Sequence, residues 1–152
     1  MLLEPSAVRA STVRLVIDVN IMIRALLSDG PARRFFELGP VHHSLVFHHQ
    51  QLAEVRDVAG RARLRLPPTA VEEFVERMLM CCEVFEGALP VVEDCRDPDD
   101  NYALALALAG KAEVILTEDQ DLLTLDPWRD IRIMRLHHFL DQHPLAQPPN
   151  AI

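Results

Sequence analysis

Lysine is almost missing from this chain: Lys111 stands alone against fourteen arginines. Cysteine is scarce and odd in number, with Cys81 and Cys82 adjacent and Cys95 isolated. No C-x-x-C occurs, so neither a disulfide framework nor a zinc site is indicated, and reduced, mostly buried thiols are expected. No apolar run approaches the roughly 18 residues that span a bilayer. Met1-Leu2-Leu3-Glu4-Pro5-Ser6 places no basic stretch before a long apolar core, so no secretory leader is read there. A cytoplasmic protein that does not engage membranes is the expectation. Neither G-x-G-x-x-G nor G-x-x-x-x-G-K is present, which disfavours the nucleotide-binding folds. Repeats, linkers and low-complexity tracts are absent too.

What is present fits one globular domain: 152 residues, 49% hydrophobic and 25% charged. The net charge of -8 argues against bulk electrostatic binding of nucleic acid. It leaves room for an acidic site flanked by local arginines. Arginine suits bidentate phosphate contacts, although an arginine bias also follows genome composition.

Hydrophobic periodicity divides the chain into alternating strands and helices. Strands are expected at 14–18, 44–47, 112–117 and 131–134, with a short extended piece at 89–92. Helices are expected at 20–27, 32–38, 50–59, 70–82, 101–109 and 136–141, with a helical turn at 119–124. Residues 1–12 read as a loose arm, 13–143 as the domain, and 144–152 as a Pro-rich tail. This alternation implies an α/β fold with a parallel sheet of four or five strands covered on both faces. Such sheets carry their sites at the carboxyl ends of strands, near the topological switch point.

Carboxylates cluster at those ends. The first strand ends in Asp18, followed by Asn20; the third ends in Thr117, followed by Asp119. Between them Asp97, Asp99 and Asp100 open the alanine-rich helix. Two carboxylates about 4 Å apart repel by roughly 1 kcal/mol in water and about 4 kcal/mol at an effective dielectric of 20. A bound cation would neutralise them. Oxygen-only ligands select a hard ion, Mg²⁺ or Mn²⁺, which suits phosphodiester hydrolysis. Some of these acids have plainer tasks. Asp97 before Pro98 reads as a helix cap, Asp119 as a cap of the following turn, and Asp121 as a solvated acid. Asp18 has no capping task visible in the sequence, which favours function there. The histidines, including three adjacent pairs, read as surface or satisfied groups.

Four pieces then resemble the PIN-domain ribonucleases: Leu15-Val16-Ile17-Asp18-Val19-Asn20, Leu52-Ala53-Glu54-Val55, Arg96-Asp97-Pro98-Asp99-Asp100-Asn101 and Ile115-Leu116-Thr117-Glu118-Asp119-Gln120-Asp121-Leu122. Their order and spacing are similar to the subgroup described as toxin components of bacterial toxin–antitoxin systems. The resemblance covers roughly residues 13–141 and implies a three-layer α/β/α domain. It implies an endoribonuclease that cleaves single-stranded RNA with Mg²⁺ or Mn²⁺, leaving a 5′-phosphate and a 3′-hydroxyl. A cognate antitoxin whose tail enters the acidic groove, and a homodimer, are implied as partners. In this comparison Asp18, Asp100 and Asp119 are metal ligands. Glu54 binds a second ion or aligns the attacking water, and Asn20 and Thr117 supply supporting hydrogen bonds. Glu54 rests on the resemblance alone, because helical geometry puts it roughly 130° from the apolar face.

The chain departs from the family at Val19, where a small or hydroxyl residue is usual. The third acid is open between Asp97 and Asp100. Arg24, Arg33, Arg34, Arg56, Arg61, Arg63 and Arg65 form either a phosphate-binding rim or ordinary solvated helix faces. A catalytically inactive PIN-like RNA-binding or scaffold module is the alternative function. A phosphoacceptor receiver domain would want a lysine at a late strand end, whereas Lys111 precedes the third strand. A dehalogenase-like phosphatase would need Asp-x-Asp where Asp18-Val19-Asn20 stands.

Overall fold

Short apolar runs form the strands here, and the amphipathic segments between them form the helices. The computed structural model describes residues 12–145. In chain order the elements are β1 (Arg14–Ile17), α1 (Val19–Leu27), α2 (Pro31–His42), β2 (Ser44–His48) and α3 (His49–Ala59). A 3₁₀ turn (Ala62–Leu64), α4 (Pro68–Cys81), β3 (Glu83–Phe85) and α5 (Pro98–Ala109) follow. The chain continues with β4 (Val114–Leu116), α6 (Gln120–Leu123), β5 (Arg132–Met134) and α7 (Leu136–Gln142). Most of the loose arm expected at 1–12 and of the Pro-rich tail expected at 144–152 falls outside the described residues, at 1–11 and 146–152. No helix among the described residues is long and apolar enough to cross a membrane.

The five strands form one parallel sheet in the order β3-β2-β1-β4-β5. The order reverses at β1, so the switch point lies between β1 and β4. Ile17 pairs with Leu116, which brings the carboxyl ends of those two strands level. Side chains alternate across the sheet. Leu15, Ile17, Leu45, Phe47, Leu116 and Met134 pack with buried residues of α1, α2, α3, α4 and α7. Val16, Val46, Ile115 and Ile133 pack with α5 and Leu122 of α6. Burial on both faces gives the three-layer α/β/α arrangement and explains why the strands read as continuous apolar runs.

Two features differ from the sequence expectations. The fifth strand is β3, while residues 89–92 have no regular structure. β3 is a three-residue edge strand with no buried residue, so it carries no apolar run to read. Arg14 secures it from β1, donating two hydrogen bonds of 2.8 Å to the Glu83 carboxylate. Helix α2 also runs on through Gly39-Pro40 to His42 instead of stopping at 38. Pro40 lacks the N–H that would bond the Phe36 carbonyl. The Arg77 guanidinium of α4 donates to that carbonyl instead, at 3.1 Å.

His43, only 6% exposed, accepts a 3.0 Å hydrogen bond at Nδ1 from the Val13 N–H. Burial, with His143 and His42 nearby, pushes its pKa down from 6.5 to about 4. The folded state therefore favours the neutral ring. Its contribution to stability is complete above about pH 6.5 and is lost as pH falls from there towards 4. Thermal melts across pH 4–7 should show this slope, and His43→Gln should flatten it; an unchanged slope in the variant would contradict the assignment.

Candidate functional site

The switch point gathers the acids through helix caps. Asp18 follows β1 directly and caps α1, its Oδ1 accepting the Asn20 N–H at 3.0 Å. The sequence shows no capping task for Asp18. The structure gives it one, because α1 starts at the very next residue. Its other oxygen, Oδ2, accepts the Thr117 hydroxyl at 2.7 Å. Thr117, fully buried, ties the ends of β1 and β4 together: its Oγ1 also accepts the Asp119 N–H at 3.0 Å. Asp119 caps α6 through the Asp121 N–H at 2.8 Å. Asp97 caps α5 through the Asp99 N–H at 3.0 Å, with Pro98 at the first helical position. The positive ends of these helix dipoles thus meet carboxylates, which offsets part of their mutual repulsion.

Asp18, Asp97 and Asp119 line a cleft of about 170 Å³ together with Asn20, Gln51, Glu54, Asp99, Asp100 and Tyr102. Asp97, Asp100 and Asp119 each place one oxygen so that all three lie within 4.8 Å of one another. Asp18 and Glu54 line the same cleft outside that triplet. Asp97, read from sequence as a helix cap, is a cap and a member of the acidic group at once. Asp121 faces elsewhere and pairs with Arg96 at 2.9 Å.

The family described as PIN domain matches residues 14–121. This chain belongs to the PIN-domain family. Members of that family are generally nucleases. Among solved structures, this PIN domain is similar to VapBC2 from Rickettsia felis bound to a DNA fragment from their promoter. Identity is 12%, the likeness covers 79% of this chain and 96% of that one, and the TM-score is 0.54. At that identity the likeness is one of fold. No curated protein gives a significant match to this PIN domain.

Electrostatics mark Asp100 as the most stressed acid of the PIN domain. It is 8% exposed, and its hydrogen-bond donor is the Cys95 thiol, at 3.7 Å from Oδ2. Burial, with Asp119, Asp97 and Asp18 beside it, pushes its carboxyl up to about 7. Glu54, although more open to solvent, is also raised, by burial first and then by Asp18 and Asp99. A cation beside a buried carboxylate among like charges would favour its ionised form. Two oxygens bound to one Mg²⁺ at about 2.1 Å lie at most about 4 Å apart. The Asp97, Asp100 and Asp119 oxygens lie within 4.8 Å of one another, a bound slightly wider than that limit. The donor set, oxygen only, fits a hard divalent ion.

None of the seven candidate arginines lines the cleft. Arg33 donates to the Ala25 and Leu26 carbonyls at 2.9 and 3.1 Å, tying α2 to α1. Arg56 pairs with Glu72 on α4 at 3.0 Å, Arg61 with Asp57 at 3.5 Å, and Arg24 with Glu118 at 4.0 Å. Arg61 also acts on the Glu54 carboxylate, offsetting a small part of its upward shift. Arg63 and Arg65 are exposed on the turn after α3, and Arg34 is exposed on α2.

Three further polar residues of the site region escape the sequence reading: Gln51, His48 and Tyr102. Gln51 and His48 are buried. Their hydrogen-bond partners are distant in sequence, so no local pattern marks them. Tyr102, two positions beyond Asp100, is the sole tyrosine of the chain and the one visible hint.

Proposed function

We propose that this PIN domain is a divalent-metal-dependent endoribonuclease that hydrolyses phosphodiester bonds of single-stranded RNA. We also propose that it acts as the toxin of a toxin–antitoxin pair. The observation that carries the first part is the convergence of Asp18, Glu54, Asp97, Asp100 and Asp119 on one cleft at the switch point. The fold likeness to VapBC2 supports the second part. On this reading an antitoxin and a second copy of the chain are its protein partners, and its location is the cytoplasm.

Asp18, Asp100 and Asp119 are the proposed ligands of Mg²⁺ or Mn²⁺, and Asp97 joins them by virtue of its place in the close triplet. When bound, the ion supplies charge to the phosphoryl oxygens and eases deprotonation of water. The chain's own residues do the rest. Thr117 fixes the Asp18 carboxylate by donating to Oδ2, and Asn20 holds Oδ1 through its backbone N–H. Glu54, at the edge of the cleft, would hold a second ion or align the attacking water as it approaches phosphorus in line. Arg61, beside Glu54, and the exposed Arg63 and Arg65 are placed to meet the RNA backbone outside the acidic centre.

Incubating labelled single-stranded RNA with the protein tests this directly. Cleavage products ending in a 5′-phosphate should appear with Mn²⁺, vanish with excess EDTA, and return when Mn²⁺ is restored. RNA binding without cleavage would favour the inactive RNA-binding module, and cleavage that survives EDTA would exclude metal dependence.

A further inference from the structure

Repelling carboxylates on separate elements need something to hold those elements in place. Asp18 sits at the end of β1, Asp100 on α5 and Glu54 on α3. Hydrogen bonds run through all three segments away from the carboxylates themselves. Tyr102 of α5 bonds through its hydroxyl to Nδ1 of His48, the cap of α3. That nitrogen also accepts the Gln50 N–H at 3.3 Å, so it carries no proton and Tyr102 is the donor. The His48 N–H donates to Gln51 Oε1 at 3.0 Å. Gln51 then donates from Nε2 to the carbonyl of Ile17, at 3.0 Å. Ile17 immediately precedes Asp18, Tyr102 lies two residues after Asp100, and Glu54 lies one helical turn after Gln51. Gln51 is 2% exposed, so its amide bonds are shielded from competing water.

We infer that Tyr102, acting through His48 and Gln51, is a positioning residue that holds the start of α3, and with it Glu54, in the cleft it lines with Asp18 and Asp100. The inference rests on the metal-dependent reading of the cleft. It adds that the placement of Glu54 is set by a polar chain reaching it from α5. Partners that hydrogen-bond a metal ligand directly carry about 10–100-fold in metal affinity; Tyr102 acts at a further remove, so the low end of that range applies.

Mn²⁺ titration calorimetry on the wild type, Tyr102→Phe, Glu54→Gln and the double variant tests it. Tyr102→Phe keeps the ring and removes one hydroxyl. It should weaken Mn²⁺ binding about tenfold. In the Glu54→Gln background the same change should cost nothing further, because Tyr102 acts through Glu54. Unchanged binding in Tyr102→Phe, an equal loss in both backgrounds, or a wild type that takes up no Mn²⁺ would each overturn the inference. Should Tyr102→Phe lose its native circular dichroism, Gln51→Met decides by the same comparison: it should give the same loss and the same dependence on Glu54. A wild type that shows this coupling yet cuts no RNA would sink the ribonuclease proposal and leave the positioning role standing.

Discussion

Asp18→Asn is expected to reduce RNA cleavage by about 10³-fold or more, with little change in melting temperature. The expected loss corresponds to about 4 kcal/mol of transition-state stabilisation, the scale of a metal ion's electrostatic contribution. Two features separate activity from folding at this position. Asparagine is as good a helix cap as aspartate, so its side-chain oxygen can still accept the Asn20 N–H. Thr117, which donates to Asp18 Oδ2, can rotate its hydroxyl to accept from the new amide instead. The backbone link from β4 to β1, the Asp18 N–H to the Leu116 carbonyl at 2.9 Å, is untouched. What disappears is one negative charge in the cleft. Gel-based cleavage assays beside thermal melts check both halves of the expectation. Wild-type cleavage in the variant would remove Asp18 from the ligand set; a collapsed melt would show that its role is mainly structural.

The double duty of Asp18 also shows what the sequence can and cannot convey. The strands β1, β2, β4 and β5 are legible because both faces of a parallel sheet are buried and their residues are uniformly apolar. β3 is not legible, because its place in the sheet depends on backbone pairing with β2 and on the Arg14–Glu83 contact. Neither leaves a local hydrophobic pattern. At the site, Asp18 and Asp119 are visible as acids at strand ends, and Asp97 and Asp100 as acids opening a helix. Their closeness is not visible, since it comes from the β1–β4 pairing across about 100 residues of chain and from the packing of α5 on those strands. Glu54 illustrates another limit. Helical phase marks it as a surface glutamate, and it is indeed exposed. A reactive cleft opens to solvent, so surface and site coincide there. The Tyr102–His48–Gln51 chain is the least legible part, because each of its members, read alone, is an ordinary polar residue.

Asp100→Asn should have opposite effects on stability with and without divalent metal. In EDTA the wild type carries a buried carboxylate beside Asp119, Asp97 and Asp18. Its folded pKa, about 7, lies above the ordinary value of 3.8, so the folded state holds this proton more tightly than the unfolded chain. The group therefore opposes folding increasingly as pH rises from about 4 to 7, and the full penalty is present above pH 7. Asparagine removes that charge, and its amide can donate to a neighbouring carboxylate. At pH 7.5 in EDTA the variant should be more stable by about 2 kcal/mol, or roughly 4–8 °C in Tm for a domain of this size. Mn²⁺ reverses the order. An ion that binds only the folded wild type adds about 2.7 kcal/mol at a hundred times its Kd. The variant, lacking the central ligand, gains little. Melting curves of both proteins in EDTA and in saturating Mn²⁺ should therefore cross. A variant less stable than wild type in EDTA would mean that Asp100 is held by favourable contacts rather than strained by its neighbours. Equal Mn²⁺ stabilisation of the two proteins would mean that the ion binds without Asp100.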